Sequence, residues 1–147
     1  MRPMKRLRGT CIAVEGSGVL LRGPSGCGKS DLALRLIEAG ARLVADDYTD
    51  VVEAGGRIFA MPPSELRGLL EVRGIGIVRL RAAALAPLVA SIDLVARENV
   101  ERMPDCKSFE LLGLSLPAFR LAAFEASCVA KVCLIVRIAS GSLERVS

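Results

Sequence analysis

Gly23-Pro24-Ser25-Gly26-Cys27-Gly28-Lys29-Ser30 fits the pattern G-x-x-x-x-G-K-[ST], and the residues on either side are those a phosphate-cradling loop needs. An apolar, strand-like run, Gly18-Val19-Leu20-Leu21, leads in, and the helical spacing of Leu32, Leu34, Leu36 and Ile37 leads out. Glycines let such a loop turn with its N–H groups pointing inward, so consecutive amides and the helix N-terminus bind an anion while Lys29 reaches the outer phosphates. Ser30 then offers its hydroxyl to Mg2+. All eight residues, Gly23, Pro24, Ser25, Gly26, Cys27, Gly28, Lys29 and Ser30, are thereby candidates for holding a nucleoside triphosphate. The bland alternative, a chance glycine-rich turn, leaves the strand before it and the helix after it as coincidences.

The composition narrows the class. A chain of 147 residues suits one domain, spanning 1–147, with room for a proper core. Hydrophobic residues at 52% beside charged residues at 24% exclude a disordered chain. Aromatics at 3%, with no Trp, argue against stacking on bases as the main task. The formal charge of +4 suits a phosphate ligand or an acidic partner surface, and it lacks the concentration expected of a nucleic-acid binder. Five cysteines (Cys11, Cys27, Cys106, Cys128, Cys133) form no C-x-x-C pair and the chain has no His, so neither a zinc cage nor a disulfide framework is expected. The basic start, Met1 to Arg6, precedes too short an apolar run for a secretion signal, and the apolar stretch Leu80 to Ala96 is broken by Arg81, Pro87 and Asp93. A cytoplasmic protein without a membrane span is the expectation.

Two short strands, Thr10 to Val14 and Gly18 to Leu21, read as a hairpin ahead of the loop, and a helix from Lys29 to about Ala39 stops at Gly40. Arg42 to Ala45 reads as the next strand. More strands are expected at Val51-Val52, Arg57 to Ala60, Leu69 to Val72 and Gly76 to Leu80, with helices over Arg81 to Leu88 and Phe124 to Arg137. Strands outnumber helices, so the expected fold is α/β with a mixed sheet and few helices.

Asp46-Asp47 ends the apolar strand Leu43-Val44-Ala45. Beside a phosphate loop such a strand end commonly carries the carboxylate that holds Mg2+ or its waters, and a second carboxylate can take a proton from an attacking hydroxyl. A solvated turn is the plain alternative. In Leu70-Glu71-Val72-Arg73-Gly74-Ile75-Gly76-Ile77, Glu71 and Arg73 stand two apart on an extended segment and share a face. A carboxylate there can help bind metal and a guanidinium can grip a phosphoryl group; periodicity alone reads the two equally well as a surface ion pair.

The loop with Asp31-Leu32-Ala33-Leu34, then Arg42 to Asp47, then Leu70 to Ile77, resembles HPr kinase/phosphorylase, specifically from about Gly9 to Ile77 and weakly after Leu80. The resemblance implies a phosphate-loop kinase core related to phosphoenolpyruvate carboxykinase, using ATP and Mg2+ to phosphorylate a serine of an HPr-like phosphocarrier of the sugar phosphotransferase system, reversibly with inorganic phosphate. It also implies a homo-oligomer, often a hexamer, and a short form that starts just before the kinase core. Carried over by motif, the proton acceptor is Asp47, the metal residues are Ser30, Asp46 and Glu71, and the groups acting on phosphate are Lys29 and Arg73, with Arg102 in Glu101-Arg102-Met103-Pro104 as a further active-site Arg.

Two departures stand out. Where the family opens its first strand with His-Gly, this chain has Arg8-Gly9. The Arg- and Gly-rich loop tied to phosphorolysis has no clear counterpart in Ser115 to Leu121. Kinase activity is therefore expected with weak phosphorylase activity; a small-molecule kinase and a non-catalytic ATP-sensing regulator are the alternatives.

Overall fold

The computed structural model describes residues 4–147. Residues 1–3, part of the basic start, lie outside them. The strands are β1 (Met4–Arg8), β2 (Thr10–Val14), β3 (Ser17–Arg22), β4 (Arg42–Ala45), β5 (Tyr48–Ala54), β6 (Arg57–Met61), β7 (Leu69–Val72), β8 (Gly76–Arg79), β9 (Ala86–Leu94), β10 (Lys107–Leu111) and β11 (Leu114–Leu121); the helices are α1 (Lys29–Glu38) and α2 (Cys128–Ala139). Nine strands form one mixed sheet in the order β1-β5-β6-β9-β3-β2-β4, with β11 beside β9 and β10 beside β11; β7 and β8 pair only with each other. The mixed, strand-rich α/β architecture is the one expected.

The strand β9 is central. It runs parallel to β3 from Leu88 to Asp93 and parallel to β11 from Ser91 to Leu94, while its start meets β6 antiparallel at Pro87 and Ala86. This corrects the expected helix over Arg81 to Leu88. Ala90, Ile92 and Leu94 are buried on one side and Leu88 and Ser91 on the other, so the run is nearly all apolar without the alternation that marks a half-exposed strand. The second expected helix exists but starts at Cys128, because Phe124 to Ser127 form a turn instead.

Two cores flank the sheet. On one face Leu32, Ala33 and Leu36 of α1 and Val132, Ile135 and Val136 of α2 meet Ile12, Val19, Leu21, Ile92 and Leu94. Positions i, i+1 and i+4 on α1 give the single apolar stripe that such docking requires. On the other face Cys11, Leu20, Val44, Val51, Ile58 and Leu88 form the second cluster, with Phe109, Leu114 and Leu116 over it. At one edge β1 carries Lys5, Arg6 and Arg8, charges that discourage pairing with another chain. Arg6 also satisfies the buried Asp50 with two bonds of 2.8 and 3.1 Å. Among the described residues no helix is long and apolar enough to cross a membrane.

Candidate active site

The phosphate loop joins β3 to α1. Gly28 adopts φ 99° just before the helix, and the Leu32 N–H bonds back to its carbonyl at 2.9 Å. A Cβ at Gly28 would sit 2.8 Å from the Ala123 Cβ and 2.9 Å from the Phe124 ring, so glycine is required for space as well as for conformation. The turn ahead of α2 thus presses on the loop from outside. Lys29 folds its ammonium back onto the carbonyls of Gly23 and Pro24, the latter at 3.3 Å, with the Cys27 sulfur 3.8 Å away. An anion seated in the loop would exchange these carbonyls for phosphate oxygens.

Below the loop, three elements meet at one carboxylate. Asp46, just past β4, accepts the Ser30 hydroxyl at 3.1 Å and the Thr10 hydroxyl at 3.0 Å on Oδ1, and the Glu71 backbone N–H at 3.3 Å on Oδ2. Asp47 has the opposite character. Its side chain is 53% exposed, with Arg8 at 4.0 Å. Its backbone is left-handed at φ 66°, closed by a 2.7 Å bond from the Tyr48 N–H to the Asp46 carbonyl, a tight three-residue turn of the strained kind. The turn is pinned by the Asp47 N–H on the Thr10 hydroxyl at 3.2 Å and the Gly9 N–H on the Asp47 carbonyl at 2.8 Å. Tyr48 stands next to it, 38% exposed, with the Arg8 guanidinium 5.8 Å from its ring centre.

The remaining expected residues are less drawn together. Glu71 reaches Asp46 through its backbone, and its side chain is exposed. Arg73 opens the turn between β7 and β8 and is exposed, with Ile75 and Ile77 beyond it at 75% and 71% exposure. Arg102 is exposed in the irregular stretch before β10, and no hydrogen bond joins its guanidinium to the loop among the described residues. Among those residues, too, no three His, Cys, Asp or Glu side chains gather into a self-sufficient metal cage. One serine hydroxyl touching one carboxylate at a phosphate loop is nevertheless the oxygen set that suits Mg2+, which keeps waters and takes its other ligands from phosphates. Ser30 and Asp46 fit that ion.

Sequence reasoning passed over two features. The sequence pattern marks Thr10 only as a strand residue, yet it touches both aspartates. Arg22 and Arg120, in register with Asp93 across β3, β9 and β11, line an open cleft with Arg8, Gly23 and Pro24. A lone Arg at the end of each apolar strand was the available signal.

The family described as HPr Serine kinase C-terminal domain matches residues 1–130, well past the point where the motifs fade. An HPr kinase/phosphorylase of Clostridium botulinum (strain Eklund 17B / Type B) is 36% identical over 115 residues, 78% of this chain and 38% of the relative. One from Clostridium tetani (strain Massachusetts / E88) is 47% identical over 78 residues, 53% of this chain and 26% of the relative. The chain thus spans well under half the length of these curated relatives. Among solved structures, the Hpr(Ser) kinase/phosphatase from Coxiella burnetii superimposes with a TM-score of 0.81 at 24% identity, covering 90% of this chain and 88% of that one. The glycine-rich loop between β3 and α1 and the carboxylate beneath it lie within the matched sequence pattern, and the chain belongs to the HPr serine kinase C-terminal domain family.

Proposed function

We propose that this chain is an ATP- and Mg2+-dependent kinase that phosphorylates a serine of an HPr-like phosphocarrier of the bacterial phosphotransferase system. The observation that carries the reading is the meeting of Ser30, from the loop helix, with Asp46, from the neighbouring strand end, at 3.1 Å, with Asp47 adjacent and open to an acceptor. Loop amides and Lys29 hold the phosphates. Ser30 and Asp46 would hold Mg2+, with Glu71 nearby, and when bound the ion offsets charge on the phosphate oxygens. Asp47 takes the proton of the acceptor serine as its oxygen bonds to the terminal phosphorus, and the bond to ADP breaks with its electron pair leaving on ADP. Arg73 and Arg102 supply positive charge to the transferring group from the acceptor side. The acceptor's class makes the setting cytoplasmic, and family resemblance makes the protein a homo-oligomer.

Phosphorolysis is weak in this reading. Arg8, in the place of the family's His, puts a guanidinium where an imidazole would stand and offers Asp47 no proton relay. Incubating purified protein with labelled ATP, Mg2+ and an HPr-like protein tests the proposal. Label is expected on one serine and is lost when that serine is Ala. Label appearing only on small hydroxyl metabolites, or ATP binding with no transfer, would overturn it.

A further inference from the structure

We infer that Thr10 is the positioning residue that couples the two aspartates, aiming Asp46 toward the metal and fixing the turn that presents Asp47. This deepens the kinase reading and rests on it for the roles of the aspartates, though not for the geometry. Thr10 opens β2, is 0% exposed, and lies 36 and 37 residues before the groups it touches. A hydroxyl has one proton. Here the Asp47 N–H occupies an acceptor site on the Thr10 oxygen at 3.2 Å, and the carboxylate of Asp46 at 3.0 Å is the acceptor for the proton. The direction of both bonds is therefore settled by chemistry.

The consequence concerns Ser30. Asp46 Oδ1 receives two hydroxyls, from Ser30 and Thr10. Were Ser30 to turn its oxygen toward a bound Mg2+, its bond to Asp46 would be the one free to change. Thr10 has no such alternative, because it is buried and already engaged by Asp47. It keeps the carboxylate in place through the exchange. Residues that orient a metal-binding carboxylate in this way are commonly worth 10- to 100-fold in metal affinity or activity. A one-hydroxyl link also ties Asp46 to the left-handed turn at Asp47, where Gly9 and Tyr48 supply the other two backbone bonds.

Thr10→Val keeps the β-branched shape and removes the hydroxyl; Thr10→Ser keeps the hydroxyl. Calorimetric titration of ATP with and without Mg2+ is the primary measurement, beside phosphoryl transfer at varied Mg2+. For Thr10→Val we expect unchanged metal-free ATP affinity, a half-saturating Mg2+ concentration raised about tenfold, and kcat lowered about tenfold or more. Thr10→Ser should restore both to within about threefold. A Thr10→Val protein that melts earlier but keeps the wild-type Mg2+ dependence overturns the assignment, as does a Thr10→Ser protein as impaired as the Val one. If Thr10→Val does not fold, the comparison of Thr10→Ser with Thr10→Ala carries the same two outcomes. Absence of phosphoryl transfer in the wild type would sink the kinase reading while leaving the Mg2+-dependent ATP titration to decide on Thr10.

Discussion

The nest around Asp46 and the hairpin of β7 and β8 meet through one hydrogen bond and are built in opposite ways. Asp46 receives three hydrogen bonds from three separate elements. At the hairpin Leu70 is packed in the core and the Glu71 N–H bonds Asp46, but the Glu71 and Arg73 side chains stand in solvent, and among the described residues the two strands pair only with each other. In the proposed function, binding of phosphate and metal would draw on groups already positioned, whose ordering cost was met in folding. The proposed transfer side would draw on side chains that a bound acceptor must still order, so their interaction energy would be released only as the acceptor arrives.

The sharpest way to break that contrast is Lys29→Ala. It should lower transfer about 10³-fold or more, since a cation on the transferring phosphate stabilises the transition state by several kcal/mol. Normal turnover would mean that the loop does not hold the reacting phosphates. Next come the aspartates. Asp47→Asn should cut kcat about 10²- to 10³-fold at unchanged Mg·ATP affinity, and Asn tolerates the left-handed turn, so the fold is spared. Asp46→Asn should chiefly raise the Mg2+ requirement. Exchanged phenotypes would reverse the two roles.

On the hairpin, Arg73→Gln should lower transfer about 10- to 100-fold with no change in ATP affinity measured by calorimetry. A matching loss of ATP affinity would place Arg73 with the nest and erase the distinction. A smaller effect is expected at Arg8→His, which should raise the ratio of phosphorolysis to kinase activity several-fold. An unchanged ratio in both directions would show that the 4.0 Å approach to Asp47 is without consequence for chemistry. Cysteine labelling sharpens the picture last. Burial pushes the Cys11 thiol up to about 12, so it should resist iodoacetamide at pH 8 while exposed Cys106 reacts, and ATP should slow any modification of Cys27 within the loop.

The nest was legible in the sequence and the centre of the sheet was not. Loop, helix start and strand end carry their signals in consecutive residues, and Arg42–Ala45 and Leu69–Val72 form strands with the expected bounds. In contrast, β9 is enclosed by β3, β6 and β11, and a strand buried on both faces loses the alternation that distinguishes it from a buried helix. The edge strand β1 was hidden by its charges, which serve the edge and mimic a loose basic start. Thr10 was invisible for another reason. Its partners lie at Asp46 and Asp47, and no local pattern records a contact at that separation.

Tyr48 is the only tyrosine in the chain, and there is no tryptophan. It follows Asp47 directly and faces the Arg8 guanidinium. Excited beyond the phenylalanine absorption band, the near-ultraviolet emission of the protein therefore originates from one ring, beside the Asp47 turn. Any event that moves Arg8 or reshapes the Asp47 turn changes the surroundings of that single emitter, which in the proposed function would make the unlabelled protein its own optical reporter of occupancy.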